Sequence, residues 1–218
     1  MCRLLPGFVC MSSYLIDQFL NDGVNQRSDR YGGTSQKRCQ LLKEALNALV
    51  GVWGQGRVGV RLSPHDHDTI KFYGTDCTDP TEQYTCAVEV LGAEYPQLAY
   101  LLLTEPRWSG ANDGNPDTDP GFDMPVINGT KYRGPFLDAV SRAKDRGTYP
   151  PAVIGAGGFT PATARQAVEE GVYDAIAFGR WFISNPDLPQ RLLTGEPLNV
   201  YQRDTFYTYD EVRELLCG

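Results

Sequence analysis

The sequence predicts an α/β fold built on a parallel sheet, and three observations carry that prediction. Short apolar runs at VGVRL, LAYLLL, AVIGA and DAIAF alternate with longer stretches of helical periodicity. Each run is apolar almost throughout, as in strands covered on both faces, where half-solvated strands would alternate polar with apolar residues. Each run also stops at a proline or a glycine, and the next apolar pattern has period 3.6.

Composition sets the outer bounds. The chain has 218 residues, 41% hydrophobic and 22% charged, enough for one domain, residues 1–218, with a real core. Twenty basic against twenty-seven acidic residues give a net charge of -7. No Lys/Arg cluster offers a track for a phosphate backbone, so nucleic acid is not expected as a partner. Cys2, Cys10, Cys39, Cys77, Cys86 and Cys217 form no CxxC pair, and His65 and His67 have no thiol at zinc-finger spacing, so no metal is expected. The cysteines read as thiols in a reducing, cytoplasmic setting. The opening MCRLLPGFVCMSS is broken by Pro6 and Gly7, too short for a membrane span and poor as a signal-peptide core.

The elements follow in order. Thr34 or Ser35 caps a helix over 36–50, with Leu41, Leu42, Ala45, Leu46 and Leu49 on one stripe and Gly51 as its stop. RVGVRLSP is a strand ending at Pro64, with Arg61 at its C-terminal end. Asp79, Pro80 and Glu82 start a second helix, whose apolar face is Tyr84, Ala87, Val88 and Leu91. A strand over 98–103 leads into a Gly/Asn/Asp/Pro-rich loop from Trp108 to Asp123. A helix over 135–144, the strand of PAVIGAGGFTP, a helix capped by Thr160 and Pro161, the strand of YDAIAFGRWF and a short helix begun by Asn185 and Pro186 complete the alternation.

Two architectures compete for this pattern. A doubly wound sheet calls for a dinucleotide fingerprint, yet GAGGFT has Thr160 where the last glycine of GxGxxG belongs. A TIM (β/α)8 barrel puts functional residues at the C-terminal ends of several strands, where Arg61, Glu105 with Arg107, Gly157 with Gly158, and Gly179 with Arg180 all fall. The barrel fits better. Eight units need about 250 residues, so four clear βα units read as a partial barrel with two sheet edges open to self-association.

These clusters suggest chemistry. Gly157 and Gly158 after one strand, with Gly179 and Arg180 after the next, can form one phosphate site, although the glycines alone also suit a tight turn. Arg61 at a buried strand end needs an anion, either a ligand or an internal partner among Asp66, Asp68 and Glu105. Tyr14, ahead of LIDQFL, reads on its own as a core aromatic. Arg107, in EPR, reads on its own as one end of a loop salt bridge.

The stretch YLIDQFLNDGVNQRSDRYGG, with Asn25, Arg27, Asp29, Tyr31, Gly32, Gly33 and then Arg38, resembles the pattern after the catalytic strand in the old yellow enzyme family of FMN-dependent ene-reductases. YLIDQFL looks most like the plant 12-oxophytodienoate reductase branch, and FGRWFISNPDL and YQRDTFY resemble the family's C-terminal signatures. The resemblance runs from Tyr14 to about Tyr207 and covers the C-terminal part of a family member. It implies FMN as cofactor and NADPH or NADH as reductant, with hydride passing to the C=C bond of an α,β-unsaturated carbonyl. It further implies the phosphate at Gly157, Gly158, Gly179 and Arg180, Arg61 at the flavin N1–O2 edge, Tyr207 near the ring, Tyr14 as the proton donor and Arg107 on the substrate side. Asp29, Tyr31 and Arg38 are expected to lock the excursion onto the following helix, and the tail from Asn25 to Arg38 to serve as scaffold.

Two departures temper the expected activity. Where the family has a histidine, and a histidine or asparagine three residues on, to bind the substrate carbonyl, this chain has Val9 and Ser12. One such donor is worth about 3 kcal/mol, so slow enone reduction is expected. The second departure is larger: no stretch here supplies the family's first strands, which carry further flavin contacts, and residues 1–13 resemble nothing in the family and read as a mis-started segment. The alternative function is a non-catalytic half-barrel that binds a phosphate-bearing ligand or a partner subunit.

Overall fold

The computed structural model describes residues 7–9, 15–63, 80–104, 126–127, 130–131, 152–202 and 206. Its centre is a parallel sheet of five strands: β1 (Gly7–Val9), β2 (Gly59–Leu62), β3 (Tyr100–Thr104), β6 (Val153–Ala156) and β7 (Ala175–Ala177), paired in chain order. A separate antiparallel ribbon joins β4 (Val126–Ile127) to β5 (Thr130–Lys131). The four expected strands are all present, and a fifth joins them. That strand, β1, arises inside the segment read as atypical, where GFV pairs in register with Gly59, Val60 and Arg61.

Among the described residues the α-helices are α1 (Leu15–Leu20), α2 (Ser35–Arg38), α3 (Gln40–Trp53), α4 (Pro80–Glu94), α5 (Pro161–Glu169), α6 (Arg180–Ser184) and α7 (Leu188–Thr194). One sheet face packs on them. Val60, Leu62, Leu101, Leu103 and Val153 alternate along their strands to meet Leu42 and Leu46 of α3, Ala87, Val88 and Leu91 of α4, and Ala164 of α5 in one core. Burying each of these valine and leucine side chains contributes about 1.5–3 kcal/mol. The intervening residues, Arg61, Leu102, Ile154 and Ala156, are half-buried and lie outside that core. Coverage of both strand faces was the expectation; among the described residues the helical core covers one. Helices on a single face distinguish a barrel wall from a doubly wound sheet, whose helices flank both.

Local chemistry explains the helix ends. Thr160 caps α5 through a reciprocal box with Thr163, with Pro161 in the first turn. Thr34 caps α2 by accepting from the Lys37 amide. The long helix α3 passes the glycine expected to stop it. Leu49 and Val50 pack against the core and carry the helix through Gly51 to Trp53. The stop is Gly54, at a φ of 77° that favours glycine, with its amide donating to Val50 O at 2.8 Å. The turn α6 was not foreseen. The expected helix over 135–144 and the loop from Trp108 to Asp123 lie outside the described residues.

Two substitutions test this packing. A Cβ on Gly51 meets nothing within 4 Å, whereas one on Gly155 comes within 2.7 Å of the buried Tyr173 ring. Gly51→Ala should therefore stabilise by about 0.5–1 kcal/mol, removing the glycine penalty in a helix. Gly155→Ala should destabilise by about 1–3 kcal/mol through overpacking. Urea melts of the two variants against the parent read both signs.

Candidate functional site at the strand ends

Parallel pairing brings the C-terminal ends of β2, β3, β6 and β7 level. Arg61 pairs with Leu102, Leu102 with Ile154, and Thr104 with Ala156, which pairs with Ala177. Past these ends lies a cavity of about 290 Å³, lined by Arg61, Thr104, Gly157, Gly158, Gly179 and Arg180, with Phe178, Trp181 and Tyr201 among its aromatic walls. Five residues picked out from sequence thus line one space, although they come from three separate segments. Tyr14, Arg107 and Tyr207 lie outside the described residues, as do Ser12, His65, His67 and Glu105.

Arg61 reaches across the sheet. Its Nη2 lies 3.5 Å from Thr104 Oγ1, and that oxygen is 3.2 Å from Ser63 Oγ. Arg61 Nε is buried without a hydrogen-bond partner. Among the described residues no carboxylate pairs with this guanidinium, which cannot shed its charge. An anion in the cavity would satisfy it.

The glycines differ in what they require. Gly157 and Gly158 have φ of 99° and 63°, both in the left-handed region, and turn the chain from β6 into α5 beside the cavity. Successive residues of this kind suit both a tight turn and an anion-binding backbone. Gly179 is different. Its φ of -106° is open to any residue, and a Cβ there meets nothing within 4 Å. The fold itself does not demand glycine at 179, whereas a ligand lying close to the backbone would.

Arg180, half-buried, sets its guanidinium 5.9 Å from the ring centre of Tyr201. Tyr201 in turn meets Trp181 edge to face at 5.2 Å and Phe206 at 5.7 Å. This aromatic wall depends on Asn185, which is fully buried. Its amide donates to Trp181 O and Asn199 O and accepts from the Asn199 amide, tying the returning chain to α6. Phe178, Trp181 and Tyr201 entered from sequence only as members of FGRWFISNPDL and YQRDTFY, without a role of their own. Thr104 was not singled out, and neither motif points to it.

The stretch from Asn25 to Arg38 is scaffold, as expected. Asn25 donates both amide hydrogens, to Phe19 O and Tyr31 O at 2.7 Å each. Tyr31 donates to Glu44 of α3 at 3.0 Å. Arg38 reaches Gln83 of α4 at 3.4 Å, and a Cβ on Gly32 would strike the Arg27 carbonyl. Tyr84 of α4 donates to Asp17, anchoring α1. The hydrogen bond from Arg27 draws the Asp29 carboxyl down to about 2. A lowered carboxyl adds stability above its ordinary range that is lost as pH falls towards 2; this pair is exposed, so the effect is small.

The chain matches the NADH:flavin oxidoreductase / NADH oxidase family over residues 9–199. It is 38% identical over 202 residues to 12-oxophytodienoate reductase 7 of Oryza sativa subsp. japonica, covering 91% of this chain and 47% of that protein. Morphinone reductase, solved with tetrahydroNAD, superposes with a TM-score of 0.70 at 30% identity, over 94% of this chain and 47% of the other. The old yellow enzyme homologue of Zymomonas mobilis superposes with a TM-score of 0.65 at 30% identity, over 88% and 47%. The chain therefore spans about half the length of the relatives it matches.

The scaffold supplies a test of its own. Asn25→Ala removes three hydrogen bonds, two donated to carbonyls and one accepted from the Arg27 amide, and leaves those groups to find water, so it should cost about 1–3 kcal/mol. Asp29→Asn, on an exposed pair, should cost under about 1 kcal/mol. Thermal melts at neutral pH should rank them in that order.

Proposed function

This chain belongs to the NADH:flavin oxidoreductase / NADH oxidase family, and on that premise we propose that it binds FMN at the strand ends and reduces activated alkenes with NAD(P)H. The observation that carries the proposal is Arg61, a guanidinium with a buried Nε that has no partner, facing a cavity bordered by glycines at the ends of adjacent strands. FMN has two features that suit these groups: a phosphate and a planar ring whose polar edge accepts hydrogen bonds. Gly157, Gly158, Gly179 and Arg180 would hold the phosphate, and Arg61 the ring edge. When bound, FMN would supply hydride transfer from the nicotinamide to the β-carbon of an α,β-unsaturated carbonyl compound.

The remaining roles fall to the protein. Tyr14 would donate a proton from its hydroxyl to the substrate α-carbon, and Arg107 would sit on the substrate side. The aromatic wall of Trp181 and Tyr201 would exclude water from the cavity mouth beside Arg180. The oxophytodienoate-like class of enone is drawn from the name of the rice reductase. Val9 and Ser12 offer no imidazole or amide to a substrate carbonyl, so turnover is slow. The same two residues favour a second reading, in which the chain holds the phosphate-bearing ligand without turning it over.

Titration with FMN, read by quenching of flavin fluorescence, tests the binding claim. Quenching should saturate, and Gly179→Ala should weaken it by about tenfold or more with an unchanged melting curve. Unquenched fluorescence with the parent protein refutes FMN binding. For the chemistry, Tyr14→Phe should slow alkene reduction while sparing bleaching of the flavin by NADPH. Equal loss in both half-reactions counts against the proton-donor role, and flavin that NADPH never bleaches leaves the binding reading alone standing.

A further inference from the structure

We propose that Thr104 is a positioning residue of this site, holding the Arg61 guanidinium in one orientation towards the polar edge of the flavin ring. The inference rests on the FMN reading above. Thr104 occupies the last position of β3, in register with Ala156 and, through it, Ala177. It is the polar member of that row. Its side chain is buried, 8% exposed, and a buried hydroxyl is costly unless its hydrogen-bonding capacity is used.

The donor count fixes how it is used. A guanidinium only donates, so the 3.5 Å contact has Arg61 Nη2 donating to Thr104 Oγ1. Ser63, also buried, lies 3.2 Å from the same oxygen and fixes it from the β2 side. The β-branched side chain of Thr104 is stiff about its first torsion, so the acceptor it presents is stationary. Arg61 is the reverse, a long side chain whose partner among the described residues is this hydroxyl. Thr104 thus limits the rotamers of Arg61 before any ligand arrives, and a preorganised charge costs less to use than a mobile one. A fixed positive charge beside the ring edge favours the more electron-rich state of a bound flavin, so its loosening should appear in the redox potential as well as in affinity.

Thr104→Val, nearly isosteric, and Thr104→Ser, which keeps the hydroxyl, form the test pair. The full chain and both variants are titrated with FMN, the midpoint potential of the bound flavin is measured against a reference dye, and flavin-free melting curves are compared. Thr104→Val should raise the FMN dissociation constant about 3- to 10-fold, the size of one modest hydrogen bond. It should also move the midpoint potential to a more negative value. Thr104→Ser should restore both. A Thr104→Val protein with parental affinity and potential overturns the inference while leaving FMN binding intact. So does a variant whose losses follow its melting temperature and are not rescued by serine, because that marks a packing role. If the parent chain itself takes up no FMN, the FMN reading fails and this inference fails with it.

Discussion

Parallel pairing is the constraint on which the site depends. Because β2, β3, β6 and β7 run the same way and pair in chain order, their C-terminal ends finish at one level. Alternation along each strand then divides the labour. Val60, Leu62, Leu101, Leu103 and Val153 go to the helices and make the core, and the residues between them face the other way. Arg61 falls in the second set and Thr104 shares its face, one pleat repeat beyond the residue paired with Arg61. A slip of one residue in the β2–β3 register would send one of them into the core.

The electrostatics follow from that placement. A chain of net charge -7 keeps two arginines, Arg61 and Arg180, at one cavity. Arg61 lacks a carboxylate partner among the described residues, and Arg180 leans on Tyr201. Elsewhere three arginines are matched to carboxylates, Arg27 with Asp29, Arg30 with Glu44 and Arg191 with Asp187. Arg61 therefore brings an uncompensated positive charge to the cavity of an acidic protein, the arrangement an anionic cofactor needs.

Much of the fold was legible because it rests on local rules. The apolar runs became strands, Thr160 with Pro161 became a cap, and the glycines after β6 took the left-handed conformations their position suggested. The site was legible where it depends on residue type at a strand end, as for Arg61, Gly157, Gly158, Gly179 and Arg180. What could not be read depends on distant partners. Tyr201 reaches the cavity because Asn185 ties down Asn199, an association fourteen residues long with no periodic signal. Thr104 gains its role from a register with β2 that neither strand announces alone. Helix α3 outran Gly51 because core contacts of Leu49 and Val50 outweigh a penalty of about 1 kcal/mol. Strand β1 has three residues, too few for a pattern, and is defined by its pairing with β2.

The central claim is that one anionic flavin unites the glycine turns and Arg61. An amide-resolved NMR titration with FMN tests it most directly, because it reports where the ligand lies. The account predicts that the backbone amides of Gly157, Gly158 and Gly179 and the Nε–H of Arg61 shift together and saturate at one FMN concentration. Saturable binding that leaves those four signals in place and moves others would contradict it.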